Sequence, residues 1–329
     1  MYIIRMELYQ YARPQLMAGK KILYIHGFAS AGSTGTAERL RVLMPQATVI
    51  SPDVPVEPAD IMPFLQALCR QEQPDLIVGT SMGGMLAEQL AGHDRICVNP
   101  ALHLEETIRK NMGLGKMEFQ NPRADGQTWF MITKGFLDAF REVTAQRLQT
   151  NDGDRVWGLF GREDTLVDSY DEFHAHYRQA IRFNGEHRLN ERAILKALLP
   201  VIQWIDDRQQ KRKKRVLLIN VDDVLLDTRN GEPVNEAVRG FLTLTEQYDV
   251  YLLCRQDRQA WIDRWLDVPA WDRVILGTHK ELLLGDYLID AHSNEDGADG
   301  FLGTLVKFGE EPFRNWAQTL EFFGRLGGQ

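Results

Sequence analysis

Leu76-Ile77-Val78-Gly79-Thr80-Ser81-Met82-Gly83-Gly84 decides the fold of the first half of the chain. A short apolar run enters a G-x-S-x-G pentapeptide, and Met85-Leu86-Ala87-Glu88-Gln89-Leu90 leaves it with helix-forming residues. Strand, sharp turn and helix in that order make a nucleophile elbow, with the serine hydroxyl at the tip of the turn. Such a turn is crowded. Gly79 and Gly83 read as positions where a side chain would collide with the neighbouring strand and helix. Ser81 is then the candidate nucleophile, and the helix start beside it favours a developing negative charge.

Strand and helix signals alternate on both sides of this stretch. Residues 21–25, 48–51, 95–98, 156–160 and 180–183 read as strands, and 37–43 and 61–69 as helices. That alternation predicts a parallel sheet covered by helices on both faces. Residues 100–150 break the rhythm. They are rich in Met, Phe and charge, read as helical in pieces, and are expected to form a lid over the strand ends.

A serine nucleophile needs a base, an acid that orients the base, and oxyanion donors. Asp164 follows a strand-like run ending in Phe160-Gly161 and is the candidate acid, ahead of Glu163 and Asp168. His187 follows the last strand and a glycine turn, Phe183-Asn184-Gly185-Glu186-His187, and is the candidate base. Ser81, Asp164 and His187 stand in the chain order of an α/β-hydrolase. The backbone N–H groups of Met82, next to the serine, and of Phe28, in Tyr24-Ile25-His26-Gly27-Phe28, are the candidate oxyanion donors. His26 reads as a residue that orders its loop. His174 and His176, two apart, do not share a helix face and read as surface residues.

Bulk properties narrow the setting. The 329 residues suggest two domains, and 44% hydrophobic with 26% charged residues is ordinary for a globular protein. A net charge of -8 argues against a nucleic-acid partner. The three cysteines, Cys69, Cys97 and Cys254, are widely spaced, which fits a reducing compartment. Charges interrupt residues 1–7, so no signal peptide is expected. No long apolar window predicts a membrane span. A cytoplasmic protein is the expectation.

The basic run Lys211-Arg212-Lys213-Lys214-Arg215 follows an amphipathic segment over 191–205 and precedes the strand signal Val216-Leu217-Leu218-Ile219. It reads as a solvated helix end and linker, since cations suit a helix C-terminus. The expected division is a first domain at 1–207, a linker at 208–214 and a second domain at 215–329.

The motifs Tyr24-Ile25-His26-Gly27-Phe28, Gly79-Thr80-Ser81-Met82-Gly83 and Asn99-Pro100-Ala101, with the Asp164 and His187 segments, resemble small bacterial α/β-hydrolase-fold esterases of the YqiA/YcfP type. The resemblance covers residues 20–207. It implies a compact sheet and hydrolysis of a small-molecule carboxylic ester or thioester through an acyl-enzyme, with no cofactor.

The second half opens with Val216-Leu217-Leu218-Ile219-Asn220-Val221-Asp222-Asp223-Val224-Leu225. A buried-type strand ending in D-x-D-x-V-L marks haloacid-dehalogenase-superfamily phosphatases, where the first carboxylate attacks phosphorus and binds Mg²⁺ and the second protonates the leaving group. Here the first position is Asn220 and only Asp222 remains. Cys254 stands where Ser or Thr would bind phosphate, Lys280 fits the phosphate-binding lysine, and Asp286 and Asp290 fit the acidic metal motif. Pro233-Val234-Asn235-Glu236-Ala237 and Gly285-Asp286-Tyr287-Leu288-Ile289-Asp290 make the 5′(3′)-deoxyribonucleotidase type the nearest resemblance. An amide is a poor nucleophile and brings no charge for a metal. The expected module is therefore a degenerate one, with residual Mg²⁺ at Asp222 and Asp286 or a phosphorylated ligand left open. Asp222, Lys280, Asp286 and Asp290 are expected to share a charged pocket at the carboxyl end of the sheet.

The fold expected is α/β throughout: an α/β-hydrolase fold followed by a Rossmann-like, haloacid-dehalogenase-type fold. The function expected is a serine esterase or thioesterase carrying a pseudo-phosphatase module. The alternatives are a nucleotidase with an accessory hydrolase domain, and a non-enzymatic binding protein built on both folds.

Overall fold

The computed structural model describes residues 11–327, so the N-terminal stretch read for a leader lies outside the described residues. The chain divides between Asp206 and Asp207 into two compact units. Among the described residues no helix is long and apolar enough to cross a membrane.

The first unit runs β1 (Lys21–Ile25), α1 (Gly35–Leu43), β2 (Thr48–Ile50), α2 (Pro58–Glu72), β3 (Leu76–Thr80), α3 (Met82–Glu88) and β4 (Arg95–Val98). It continues through α4 (Leu104–Asn111), β5 (Gly115–Glu118), β6 (Trp129–Ile132), α5 (Lys134–Thr144), β7 (Val156–Gly161), α6 (Tyr170–His174) and β8 (Ala180–Phe183). The helix α7 closes it, from Glu191–Ala193 through a π segment at Ile194–Leu198 to Leu199–Gln209. Six strands pair in parallel in the order β2-β1-β3-β4-β7-β8. Strands covered on both faces need unbroken apolar runs. Ile22 to Ile25 in β1, Leu76 to Val78 in β3 and Ile96 to Val98 in β4 are all buried. This is the α/β-hydrolase fold that the elbow predicts.

The 100–150 insertion is helical in pieces, as α4 and α5, but it also holds a hairpin that the sequence reading missed. β5 and β6 pair antiparallel, from Gly115 opposite Ile132 to Glu118 opposite Trp129. Phe130 and Ile132 turn inward while Trp129 and Met131 face out. Because all four β6 residues are apolar, the period of two that marks a half-buried strand is invisible until burial is known.

The second unit contains β9 (Val216–Asn220), α8 (Ala237–Gln247), β10 (Asp249–Cys254), α9 (Gln259–Trp265), β11 (Val274–Leu276), β12 (Tyr287–Asp290), β13 (Thr304–Lys307) and α10 (Trp316–Leu326). Its five strands are parallel, in the order β11-β10-β9-β12-β13. That is a doubly wound, Rossmann-like order. In the basic run ahead of β9, two cations are used locally: Arg212 and Lys214 each lie 2.8 Å from a carboxylate oxygen of Asp207.

Open parallel sheets bind ligands beyond the carboxyl ends of their strands, where the strand order reverses. In the first sheet that point lies between β1 and β3, which run into His26-Gly27-Phe28 and Ser81. In the second it lies between β9 and β12, which end at Asn220 and Asp290.

Candidate active site

Ser81 sits between β3 and α3 with φ 56° and ψ -116°. A residue with a Cβ adopts a positive φ at a cost of about 1–3 kcal/mol, so the surroundings must hold it there. They do so from both sides. The Ser81 amide donates to the Val98 carbonyl at 2.9 Å, and the Ser81 carbonyl accepts from Gly84, Met85 and Ala101 at 3.0, 3.1 and 3.1 Å. The two elbow glycines are required by close approach. A Cβ on Gly79 would lie 2.0 Å from the Gly83 carbonyl oxygen, and one on Gly83 would lie 2.0 Å from that of Ile25. β1, β3 and α3 are thus pressed together at backbone distance around the serine.

The Asp164 and His187 side chains meet. His187 Nδ1 and Asp164 Oδ2 are 2.7 Å apart, and Asp164 Oδ1 accepts from the amides of Leu166 at 2.8 Å and Val167 at 3.0 Å. The bond at Nδ1 leaves Nε2 as the ring nitrogen for a hydroxyl. Burial by itself would raise the Asp164 pKa. The hydrogen bond and charge of His187, with the two amides, outweigh it and hold the carboxyl below the ordinary aspartate range. Glu163 and Asp168, the other candidate acids, are exposed.

Asn99 links this pair to the elbow, a role the sequence reading did not assign. It follows Val98, the residue that holds the Ser81 amide. Its Nδ2 donates to the carbonyls of His187 at 2.9 Å and Glu186 at 3.1 Å, while its Oδ1 accepts from the Gly161 amide at 2.7 Å. One side chain at the end of β4 therefore fixes both the histidine loop and the strand end ahead of Asp164. A buried polar residue closing an apolar strand is the signal that could have found it.

Met82 is the first residue of α3 and Phe28 follows the turn at Gly27. Among the described residues neither backbone N–H has a hydrogen-bond acceptor. A Cβ on Gly27 would lie 3.5 Å from that of Ser81, which places the Phe28 turn against the serine. His26 is buried beneath them. Its Nδ1 bonds the Gly27 carbonyl at 2.8 Å and its Nε2 accepts from the Val54 amide at 3.1 Å. Burial lowers its pKa, so it is a neutral ring with both nitrogens engaged, ordering the loop. His174 and His176 are exposed.

In the second unit the structure brings some of the expected residues together and separates others. Asn220, at the end of β9, is buried, and its Nδ2 donates to Asp290 Oδ1 and to the Asp222 carbonyl, each at 3.2 Å. Lys280 Nζ is 2.6 Å from Asp290 Oδ2, and both residues are buried. Asp222 is held by Arg258, Nε to Oδ1 at 2.8 Å and Nη2 to Oδ2 at 3.1 Å, a partner the sequence reading did not include. Cys254 is buried, and burial followed by the Asp222 charge pushes its thiol up to about 12, so it is protonated.

Asp286 corrects the expected pocket. It precedes β12 and accepts from the Val216 amide, at the start of β9, at 2.8 Å. It therefore lies at the amino end of the sheet, roughly 13 Å along the strand from Asp290 at the rise of a parallel strand. The expected pairing of Asp222 with Asp286 around Mg²⁺ does not assemble. Asp222 is neutralised by a guanidinium and Asp290 by an ammonium. Among the described residues no three His, Cys, Asp or Glu side chains group as a metal-binding set. These side chains do not fit the ion that the phosphatase resemblance implies.

Parts of the chain are similar to known proteins. A protein of Vibrio phage KVP40, provisionally named a 5′(3′)-deoxyribonucleotidase, is 27% identical over 150 residues, covering 35% of this chain and 88% of that protein. Among solved structures, Est1E from Butyrivibrio proteoclasticus is similar at 14% identity and a TM-score of 0.41, covering 60% of this chain and 89% of that one. The esterase domain of a Rhodothermus marinus protein is similar at 19% identity and a TM-score of 0.36, covering 54% and 82%. Residues 21–206 match the model of the uncharacterised protein family UPF0227, and the chain belongs to that family.

Proposed function

We propose that the first unit is a serine hydrolase that cleaves a small-molecule carboxylic ester or thioester through an acyl-enzyme on Ser81. The observation that carries this reading is the Asp164–His187 pair at 2.7 Å, tied through Asn99 to the strand end that holds a serine at positive φ. His187 Nε2 takes the proton as Ser81 Oγ adds to the carbonyl carbon. The amides of Phe28 and Met82 receive the oxyanion, each worth about 3 kcal/mol of barrier. Collapse breaks the bond to the alcohol or thiol, which leaves with the proton from His187. Water, deprotonated by His187, then adds to the acyl carbon; collapse breaks the bond to Ser81 Oγ, which takes the proton back from His187, and the acid leaves. Asp164 stays ionised throughout, holding the ring and stabilising its cation. No step draws on a cofactor.

The second unit, on this reading, is a phosphatase-like fold that has exchanged its nucleophile for Asn220 and serves as a binding or structural module. The ion pairs on Asp222 and Asp290 support that reading. The three cysteines are free and buried, which supports a reducing, cytoplasmic setting. Hydrolysis of p-nitrophenyl acetate tests the catalytic part. Ser81→Ala is expected to lower kcat by about 10⁴-fold or more. Equal turnover by the variant would remove Ser81 from the mechanism.

A further inference from the structure

Beside the two candidate oxyanion donors lies an apolar slot. Met82 and Phe28 line it together with Ile61, Phe130, Phe136 and Phe140. The Phe28 ring stands edge-on to those of Phe130, Phe136 and Phe140 at 5.4, 6.2 and 6.0 Å. The Phe130–Phe136 and Phe136–Phe140 ring separations are 5.6 and 5.1 Å. The collar thus joins the β1 turn to the hairpin and α5 of the insertion. The space inside is about 20 Å³, roughly the room one water molecule needs.

Three polar side chains, His26, Ser30 and Arg123, line the slot. His26 has its ring nitrogens engaged, Ser30 Oγ accepts from Asn121 Nδ2 at 2.9 Å, and Arg123 is spent on Asp125 and the Val54 carbonyl. The one charged side chain in the lining, Arg123, is already paired, so no uncommitted charge faces the slot. The direction of the slot follows from the chemistry. A leaving group must lie against the imidazole that protonates it, and His187 is not part of this lining. The remaining substituent of the carbonyl is the acyl chain.

We infer that this slot receives the acyl group, that the acyl group is short, unbranched and uncharged, and that Phe130 and Phe136 set its length. The inference rests on Ser81 being the nucleophile. A single methyl group, that of an acetyl ester, fills the space as it stands. A longer chain meets the Phe130 and Phe136 rings. Beyond them opens a groove of about 1000 Å³, lined in part by the same two residues and by Trp129 and Met131. Truncating Phe130 joins slot to groove and gives a long chain somewhere to go.

The test is the ratio of kcat/KM on p-nitrophenyl acetate, butyrate and octanoate, measured on the full chain and on Phe130→Ala and Phe136→Leu. The wild-type value is expected to fall roughly tenfold or more from acetate to octanoate. Phe130→Ala is expected to shift that ratio toward octanoate by about tenfold, with Phe136→Leu, a smaller change less prone to unfold the collar, shifting it the same way. Wild-type preference for octanoate, or an unchanged ratio in both variants, overturns the inference while leaving Ser81 as nucleophile. Absence of Ser81-dependent turnover on every chain length overturns the underlying reading and the inference with it.

Discussion

Asp164 shows what single side chains decide in this protein. Its carboxylate is stabilised by His187 and two amides against the penalty of burial, so its pKa lies below the ordinary value of about 3.9. A depressed carboxyl contributes stability that is fully present above the unfolded-state pKa and is lost as pH falls through the folded one. Asp164→Asn is expected to lower kcat by about 10⁴-fold at neutral pH, because the amide favours the wrong histidine tautomer. Urea unfolding of wild type and variant should also show a stability gap that is constant above about pH 5 and narrows below about pH 4. A gap independent of pH would contradict the depressed pKa of Asp164. Ser81, Asp164 and His187 were legible in the sequence because each ends or follows a strand with a local pattern of its own. Asn99 and Arg258 were not, since their roles are contacts made across the fold. Asp286 was misplaced because its motif resembles a carboxyl-end site, and only the start of β12 at Tyr287 shows that it precedes the strand.

At the scale of elements, the elbow depends on three backbones meeting where no side chain fits. Gly79→Ala places a Cβ 2.0 Å from the Gly83 oxygen, and neither backbone has room to yield. The expected cost is about 4 kcal/mol or more, with turnover lost, since the strand–helix approach that sets Ser81 is what must open. Chemical denaturation of the variant measures it, and a stable, fully active Gly79→Ala would contradict the packing described. The alternation of strands and helices was readable because buried parallel strands need continuous apolar runs. The β5–β6 hairpin was not, since its strands are short and one of them is apolar on both faces. What the hairpin buries is decided by Phe28 and the phenylalanines of α5, residues distant in sequence from at least one strand of the pair.

At the scale of the whole molecule, both sheets reverse strand order at a point where chemistry is expected, and the two points differ in one respect. One ends at a serine held in a strained turn, with a histidine and a carboxylate tied to the same strand end. The other ends at an asparagine, with its neighbouring carboxylates already bonded to Arg258 and Lys280. We therefore propose Ser81 as the nucleophile of this chain. Treatment of the full chain with a fluorophosphonate, followed by peptide mass spectrometry, tests this most directly. One phosphonyl adduct is expected, on Ser81, abolished in Ser81→Ala. An unlabelled protein, or an adduct on any other residue, would contradict it.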